Sequence, residues 1–425
     1  MHVAVIGAGI VGVTTAFELA RDGHRVTVFE RRGSVAEETS FANAGVVAPG
    51  YVTPWAAPGM PAKVLRHLLG RHAPVRLAWP MAGGQWGWMW RWWRACKAPV
   101  FAANRSHMYR LAHYSQQRLR SLTQELHLER ETAQGYLVLL RSTRELAQAR
   151  AGLRLLAELG VDFHLVDGAR AREIEPGLNP GTALHAAIHL PQDEVGNCRQ
   201  FAHLLRIEAQ RLGATFRFQR SVAALAAAAR PQVGHRATGS SEPLQHEVFD
   251  AVVVCAALGA RDLLRPLGLR LPLLGVHGYS ITAPLRQLEG FPQLGPAAGV
   301  MDERYKVAIS RLGLRVRVAG GAELGGRPDR LGAAAIATLH KVLDDWYPGC
   351  AEPSRFQRWK GTRPMLPDGP PVIDGSGAPG VWLNLGHGSS GWALACGSAR
   401  VLADLVGGRK PDIDIRGLDL ARLRG

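Results

Sequence analysis

The sequence predicts an α/β protein in which a βαβ dinucleotide-binding unit is interleaved with a second domain built on an antiparallel sheet. Three observations support this. A glycine-rich strand-to-helix turn opens the chain, a second such turn lies near residue 386, and alternating, strand-like segments fall between them. The first turn is the most informative. Residues 2–6 are a short apolar run and read as a buried strand. Gly7-Ala8-Gly9-Ile10-Val11-Gly12 follows at once and opens a helical pattern; Arg25 to Phe29 is a second strand, ended by Glu30. In this fingerprint Gly7 permits the tight turn, Gly9 lets a pyrophosphate approach the backbone, and Gly12 allows close helix–strand packing. The free N–H groups and positive helix end meet the phosphates. Glu30 accepts hydrogen bonds from a ribose diol.

The remaining elements follow in order. Residues 33–59 are rich in small residues, Gly and Pro, and read as an extended, ligand-hugging segment. Residues 65–120 are mostly helical in pattern and include a tryptophan cluster. Strands are expected at 135–141, 161–166 and 215–219, and helices at 145–159 and 200–212. Residues 231–247 are polar and read as a loop or hairpin tip. Residues 249–256 form a buried, parallel-type strand. Residues 273–283, 306–310 and 314–320 alternate as an antiparallel sheet does. A strand at 381–385 precedes a helix at 392–405. Dinucleotide elements at both ends imply a discontinuous nucleotide domain (1–60, 190–265 and 355–425) around a substrate domain (61–189 and 266–354) that includes the Trp-rich helical segment.

At 425 residues, with 47% apolar and 20% charged residues, the chain buries a large core and is not disordered. No basic leader precedes the apolar N-terminal stretch, so no signal peptide is expected, and no apolar run is long enough to span a bilayer. The five cysteines are scattered without zinc or redox spacing, which fits free thiols in a reducing compartment; no metal site is expected. The net charge of +16 is spread along the chain. It has three readings: attraction to anionic lipid, attraction to nucleic acid, or Arg-rich codon usage. Nucleic acid is the weakest, because no recognition motif accompanies the charge.

The second turn, Leu385-Gly386-His387-Gly388-Ser389-Ser390-Gly391-Trp392, follows a strand and opens a helix. One ligand with two anionic regions explains both turns. FAD has a pyrophosphate, and its reduced ring system has negative charge that a positive helix end stabilises.

Five further segments occur in order: Thr39-Ser40-Phe41-Ala42-Asn43-Ala44-Gly45, residues 51–59 (YVTPWAAPG), Gly278-Tyr279-Ser280, Gly361-Thr362-Arg363-Pro364 and Gly386-His387-Gly388. With them the chain resembles the FAD-dependent oxidoreductase family that holds glycine and sarcosine oxidases, and in particular its D-amino acid dehydrogenase branch. The resemblance covers almost the whole chain. It implies a GxGxxG Rossmann-like FAD-binding domain interleaved with an antiparallel-sheet α+β substrate domain, and non-covalent FAD. It places Gly7, Gly9 and Gly12 at the pyrophosphate and Glu30 at the adenosine ribose. Ser40, Asn43, Ala44 and Gly45 fall beside the flavin and its linker. Val222 presents backbone groups to the adenine or is a plain core valine, Gly259 lies near the phosphates, and Gly386, His387, Gly388 and Gly391 lie at the pyrimidine end. Arg363 is expected to hold the substrate carboxylate as a planar fork. Tyr279 is a second donor or a core tyrosine, and His387 is structural or contacts flavin rather than acting as a base. Four departures from the family pattern bear on substrate range: His277 where lysine is usual, Ser389-Ser390 for Thr-Leu, Lys360 and Thr362 around the arginine motif, and Asn197 for Asp.

The implied activity is oxidation of D-amino acids to imines, with electrons passed to a quinone or other respiratory acceptor. An oxygen-using amine oxidase and a non-catalytic, basic, membrane-associated flavin-binding protein are the alternatives. Trp86, Trp88, Trp90, Trp92 and Trp93 lie among Arg91, Arg94 and Lys97. On a helix Trp86, Met89, Trp90 and Trp93 share a face, which suits an interfacial helix on anionic lipid or packing over the active site. Peripheral association of a cytoplasmic protein with the inner face of the cytoplasmic membrane is expected.

Overall fold

The computed structural model describes residues 1–67, 72–78, 84–287 and 294–423. His2–Ile6 is central in a six-stranded sheet. It pairs in parallel with Ala251–Val254 on one side and Arg25–Phe29 on the other. Val381–Leu385 and Thr215–Arg217 extend the parallel set outward, and Val372–Gly375 closes one edge antiparallel. The central strands are buried on both faces, which is why they read as unbroken apolar runs. Helix Ile10–Arg21 is buried almost all round because helices Cys198–Arg211 and Gly391–Val406 pack against it. Glu18 on that helix is fully buried and is held by Arg118 at 2.7 Å and Arg400 at 2.8 Å.

The 231–247 region is more ordered than expected. Gln232–Ala237 and Gln245–Val248 are strands of a three-stranded antiparallel sheet with Arg220–Ala226. Their polar side chains fit a hairpin with one wet face, which composition alone resembles a loop.

The larger sheet has ten strands and is mostly antiparallel. Two pairings are parallel, Gly299–Asp302 with Thr132–Leu140 and Arg315–Gly325 with Val75–Ala78. Helix Ala333–Trp346 covers one face. The expected domain limits at 190 and 355 fall across this sheet: Ala186–Gly196 runs through the first, and Gln357–Met365, beyond the second, pairs with Leu274–Pro284. Val46–Val47 also belongs to it.

Within 65–120, residues 68–71 and 79–83 lie outside the described residues. The rest holds helices Met60–His67, Gln85–Ala95 and Ala98–Glu125, and one strand, Val75–Ala78. Helix Gln85–Ala95 exposes the three tryptophans of the expected face but turns Met89 inward. Trp86, Trp90 and Trp93 are 64%, 59% and 52% exposed, whereas Trp88 is buried and Met89 and Trp92 pack inward. The Trp88 indole explains the division by donating to the Met365 carbonyl at 3.1 Å. Among the described residues no helix is long and apolar enough to cross a membrane.

Candidate functional site

The three glycines of the first turn have separable jobs. Gly7 has φ +102°, and its N–H donates to the Phe29 carbonyl at 2.8 Å. A Cβ on Gly12 would stand 1.9 Å from the Gly7 carbonyl oxygen, so Gly12 lets the helix close on the turn. A Cβ on Gly9 would meet only the Ser40 hydroxyl, at 3.5 Å, because this residue faces open space. Glu30 braces the turn: it accepts from the Ala8 N–H at 2.7 Å and the Arg32 N–H at 2.8 Å. Ser40 accepts from the Ile10 N–H at 3.1 Å and so ties the following segment to the helix start.

These residues line a cleft of about 370 Å³. Gly7, Gly9, Glu30 and Ser40, Val222 and Gly259, and Gly386, His387, Gly388 and Gly391 are all among its lining residues. The two glycine turns, distant in sequence, thus face one space. Gly12 lies beneath rather than in the lining. Asn43, Ala44 and Gly45 are also outside it, at the junction with the larger sheet. The Asn43 carbonyl accepts from Arg317 at 3.2 Å, the Ala44 carbonyl from Ser310 at 2.7 Å and the Gly45 carbonyl from the Gly196 N–H at 2.7 Å. Sequence reasoning missed Asp262 and Asn384, which also line the cleft. Asn384 had a signal, as the one polar side chain in the strand Val-Trp-Leu-Asn-Leu.

At the second turn Gly386 has φ +79°, and a Cβ there would stand 2.4 Å from the Leu366 side chain. His387 is buried, with Nε2 3.0 Å from the Ser398 hydroxyl, which itself donates to the Ala395 carbonyl. Burial pushes its pKa down to about 3, so this imidazole stays neutral. It is a fixed polar wedge and a poor proton acceptor.

Arg363 is not itself among the residues that line the cleft; it precedes the lining residue Pro364 in strand Gln357–Met365. Its Nη1 donates to the Gly321 carbonyl at 2.7 Å, and its guanidinium carbon lies 5.8 Å from the centre of the Trp55 ring. Among the described residues no carboxylate comes within 4.0 Å of it, unlike Arg118, Arg141, Arg400 and Arg422. Desolvation brings its pKa down to about 10. A cation placed this way is short of an anion.

Tyr279 is not brought to Arg363. Plain strand alternation sets it on the opposite face: Tyr279 pairs with Lys360 and Val276 with Arg363 in unbroken register, and the Tyr279 side chain enters the core beneath helix Ala333–Trp346. Its hydroxyl donates to Glu323 at 2.8 Å, and Lys360 holds the other Glu323 oxygen at 2.9 Å. Burial, then the Glu323 contact, raise the Tyr279 pKa. Three departures from the family pattern gather on this same face. His277 meets Thr362, Nδ1 to Oγ1, at 2.9 Å, and Lys360 ties down Glu323. Asn197 caps helix Cys198–Arg211 through the Gln200 N–H, and its amide donates to Glu131 at 2.7 Å, which a carboxylate could not do. Ser389 and Ser390 lie in the short turn before helix Gly391–Val406.

The lining fits a flavin dinucleotide. The Gly9 side of the cleft is a cradle that a side chain would fill, and Asn384 Oδ1 is buried without a partner among the described residues. Comparison with known proteins agrees. The family profile described as FAD dependent oxidoreductase (DAO) matches residues 2–405. The chain is 42% identical over 424 residues to a D-amino acid dehydrogenase of Cereibacter sphaeroides, covering 99% of this chain and 95% of that one. It is 39% identical over 424 residues to a D-amino acid dehydrogenase of Bradyrhizobium diazoefficiens, covering 99% of each. Among solved structures, glycine oxidase from Geobacillus kaustophilus superposes with a TM-score of 0.77 at 21% identity, covering 99% of this chain and 98% of that chain. L-proline dehydrogenase from P. horikoshii gives 0.72 at 17% identity, with 100% and 97% covered. From the paired glycine turns, the cleft they share and these matches, the chain belongs to the family of FAD-dependent oxidoreductases.

Proposed function

We propose that the protein oxidises D-amino acids to imines, which water converts to 2-oxo acids and ammonia. The observation that supports this most is Arg363, a desolvated guanidinium without a carboxylate partner among the described residues, one residue before the cleft-lining Pro364. It suits the one group that every α-amino acid presents. Bound FAD supplies a hydride acceptor at flavin N5 for the Cα hydrogen. The chain's own part is mainly positioning. Arg363 anchors the carboxylate bidentately. The neutral His387 and the N-terminus of helix Gly391–Val406 would hold the flavin ring when it is bound, and the helix end would favour negative charge there. No strong base is required if the substrate amine is bound uncharged. Tyr279 is committed to Glu323 and is left out of this scheme. The stereochemical preference comes from the named relatives. An anaerobic screen with paired D- and L-amino acids tests it: bleaching of the flavin by D-enantiomers is expected, and bleaching only by L-enantiomers or by glycine would overturn it. Rapid peroxide formation in air would replace the dehydrogenase reading with an oxidase.

For the electron acceptor we assign a membrane quinone, with the protein docked on the anionic inner face of the cytoplasmic membrane. Three exposed tryptophans on helix Gln85–Ala95 support this, with Trp90 and Trp93 stacked at 5.0 Å, as do the exposed Arg91, Arg94 and Lys97 beside them. Residues 39–124 also contain eleven Lys and Arg and no Asp or Glu. Indoles flanked by cations suit a lipid headgroup layer. Sedimentation with anionic liposomes should decrease with added salt and with Trp86, Trp90 and Trp93 changed to serine; no binding at low salt would remove the docking reading.

A further inference from the structure

The larger sheet holds two large side chains flat on the face that Arg363 occupies. Gly278 and Gly361 are directly opposite each other in neighbouring antiparallel strands, so their missing side chains would point to the same face. Each absence is used. A Cβ on Gly278 would stand 2.3 Å from Arg363 Nη2, and a Cβ on Gly361 would stand 1.8 Å from the ring of Trp359. The guanidinium therefore lies over one glycine and the indole over its partner. Cross-strand neighbours have Cβ positions roughly 5 Å apart, which sets the spacing of the two groups. Trp359 is only half-buried, so part of its ring is open. Trp55 stands on the other side of Arg363.

We infer that Trp359 is the wall against which the substrate side chain packs, and that it selects amino acids with apolar or aromatic side chains. This rests on the proposed role of Arg363. Once a carboxylate is fixed there, the Cα substituent must reach out by one or two bonds, and the indole is the neighbouring surface. Its size favours a large, flat partner. Among the described residues the charged side chains on this stretch of the face, Arg363 and Arg317, are both cationic, so a lysine- or arginine-like substrate finds no anion among them. Glu323 points to the opposite face, where Tyr279 and Lys360 occupy it. Alternation along strand Gln357–Met365 places Trp359 and Arg363 on the substrate face and Lys360 and Thr362 behind it. The departures at Lys360 and Thr362 therefore leave the side-chain pocket untouched.

The experiment compares the FAD-loaded enzyme with Trp359→Ala, Trp359→Phe and Gly361→Ala, using D-phenylalanine, D-leucine and D-alanine. Trp359→Ala should lower kcat/KM for D-phenylalanine by roughly tenfold or more relative to D-alanine. The loss should lie in KM, with kcat nearly kept, because packing on a wall binds substrate and transition state alike. Trp359→Phe should recover most of it. Gly361→Ala, which displaces the ring, should reproduce the Trp359→Ala pattern. FAD content should not change, since Trp359 is not in the cofactor cleft. A binding measurement that needs no turnover uses perturbation of the flavin spectrum by benzoate and by acetate; Trp359→Ala should weaken benzoate alone. Equal losses for all substrates, or equal loss of both carboxylates, would overturn the inference. If the unaltered enzyme oxidised no D-amino acid, the activity reading would fail, and the benzoate-to-acetate ratio would still decide the place of Trp359.

Discussion

Replacing Gly9 or Gly12 by alanine adds one methyl group in each case, three residues apart, yet the structure predicts effects of opposite sign on the empty protein. At Gly12 the new Cβ would lie 1.9 Å from the Gly7 carbonyl oxygen and 2.8 Å from its carbon. The helix must retreat by more than an ångström, and overpacking of this kind costs about 1–3 kcal/mol. At Gly9 the nearest atom would be the Ser40 hydroxyl at 3.5 Å, an ordinary contact, and the backbone angles of −65° and 178° suit alanine. There the change should stabilise the apoprotein by about 0.4–1 kcal/mol, because the unfolded chain loses freedom. That same methyl projects into the cleft. If it denies a phosphate one charge-assisted hydrogen bond, worth about 1.5–3 kcal/mol, FAD affinity should fall roughly ten- to hundredfold. The assay is thermal unfolding of FAD-stripped protein alongside titration of FAD by flavin fluorescence. Gly12→Ala should lower the apoprotein Tm, and Gly9→Ala should raise it slightly while weakening FAD. Full FAD affinity in Gly9→Ala would show that the pyrophosphate does not pass over this residue.

Arg363→Ala should retain FAD and lose on the order of a hundredfold or more in kcat/KM, reflecting about 2–5 kcal/mol for an unpaired buried charge partner, with Arg363→Lys only partly restoring it; steady-state kinetics with a D-amino acid checks this. Asp193 is buried with one oxygen unpartnered, and burial pushes its pKa up to about 8. Its contribution to stability is therefore full below the ordinary carboxylate range and is lost as pH rises toward 8, so Asp193→Asn should raise Tm above pH 8 and change it little at acid pH. Glu323→Gln keeps the shape of the Tyr279 and Lys360 contacts but removes the charge that balances Lys360; it should lower Tm while leaving the KM for D-alanine within about twofold, since this network lies behind the substrate face.

The nucleotide half was legible because its physics is local. Buried parallel strands must be apolar on both faces, so 2–6, 25–29 and 381–385 stood out with their true limits. Ten of the fourteen expected cofactor residues line one cleft, because both glycine-rich turns join a strand of the one parallel sheet to a helix. Strand Gln357–Met365 was invisible: Arg, Trp, Lys and Thr fill it because one face carries the Trp359 ring and the Arg363 guanidinium and the other an ion pair. Tyr279 read as a second donor or a core tyrosine, and the pairing that decides for the core, Tyr279 with Lys360 and Val276 with Arg363, is a long-range register that residue type does not announce. Asn43, Ala44 and Gly45 followed the cofactor motif in sequence, yet their carbonyls serve the seam with the larger sheet. On the tryptophan helix, periodicity named a face but not which way the helix would be turned, and the hydrogen bond of Trp88 to a distant carbonyl decided it.

The order of strands in the smaller sheet sets a timetable for the chain as it leaves the ribosome. The first strand made, His2–Ile6, can pair with Arg25–Phe29 early, but its other edge waits for Ala251–Val254. The helix that covers it must wait for Gly391–Val406, whose Ala395 carbonyl receives the Thr14 hydroxyl. At roughly 5–20 residues per second, the nascent protein exposes that open strand edge for tens of seconds. Cofactor capture should therefore wait until helix Gly391–Val406 has been made. Release from translation before residue 406 should leave a chain that cannot hold FAD and depends on chaperones to stay soluble.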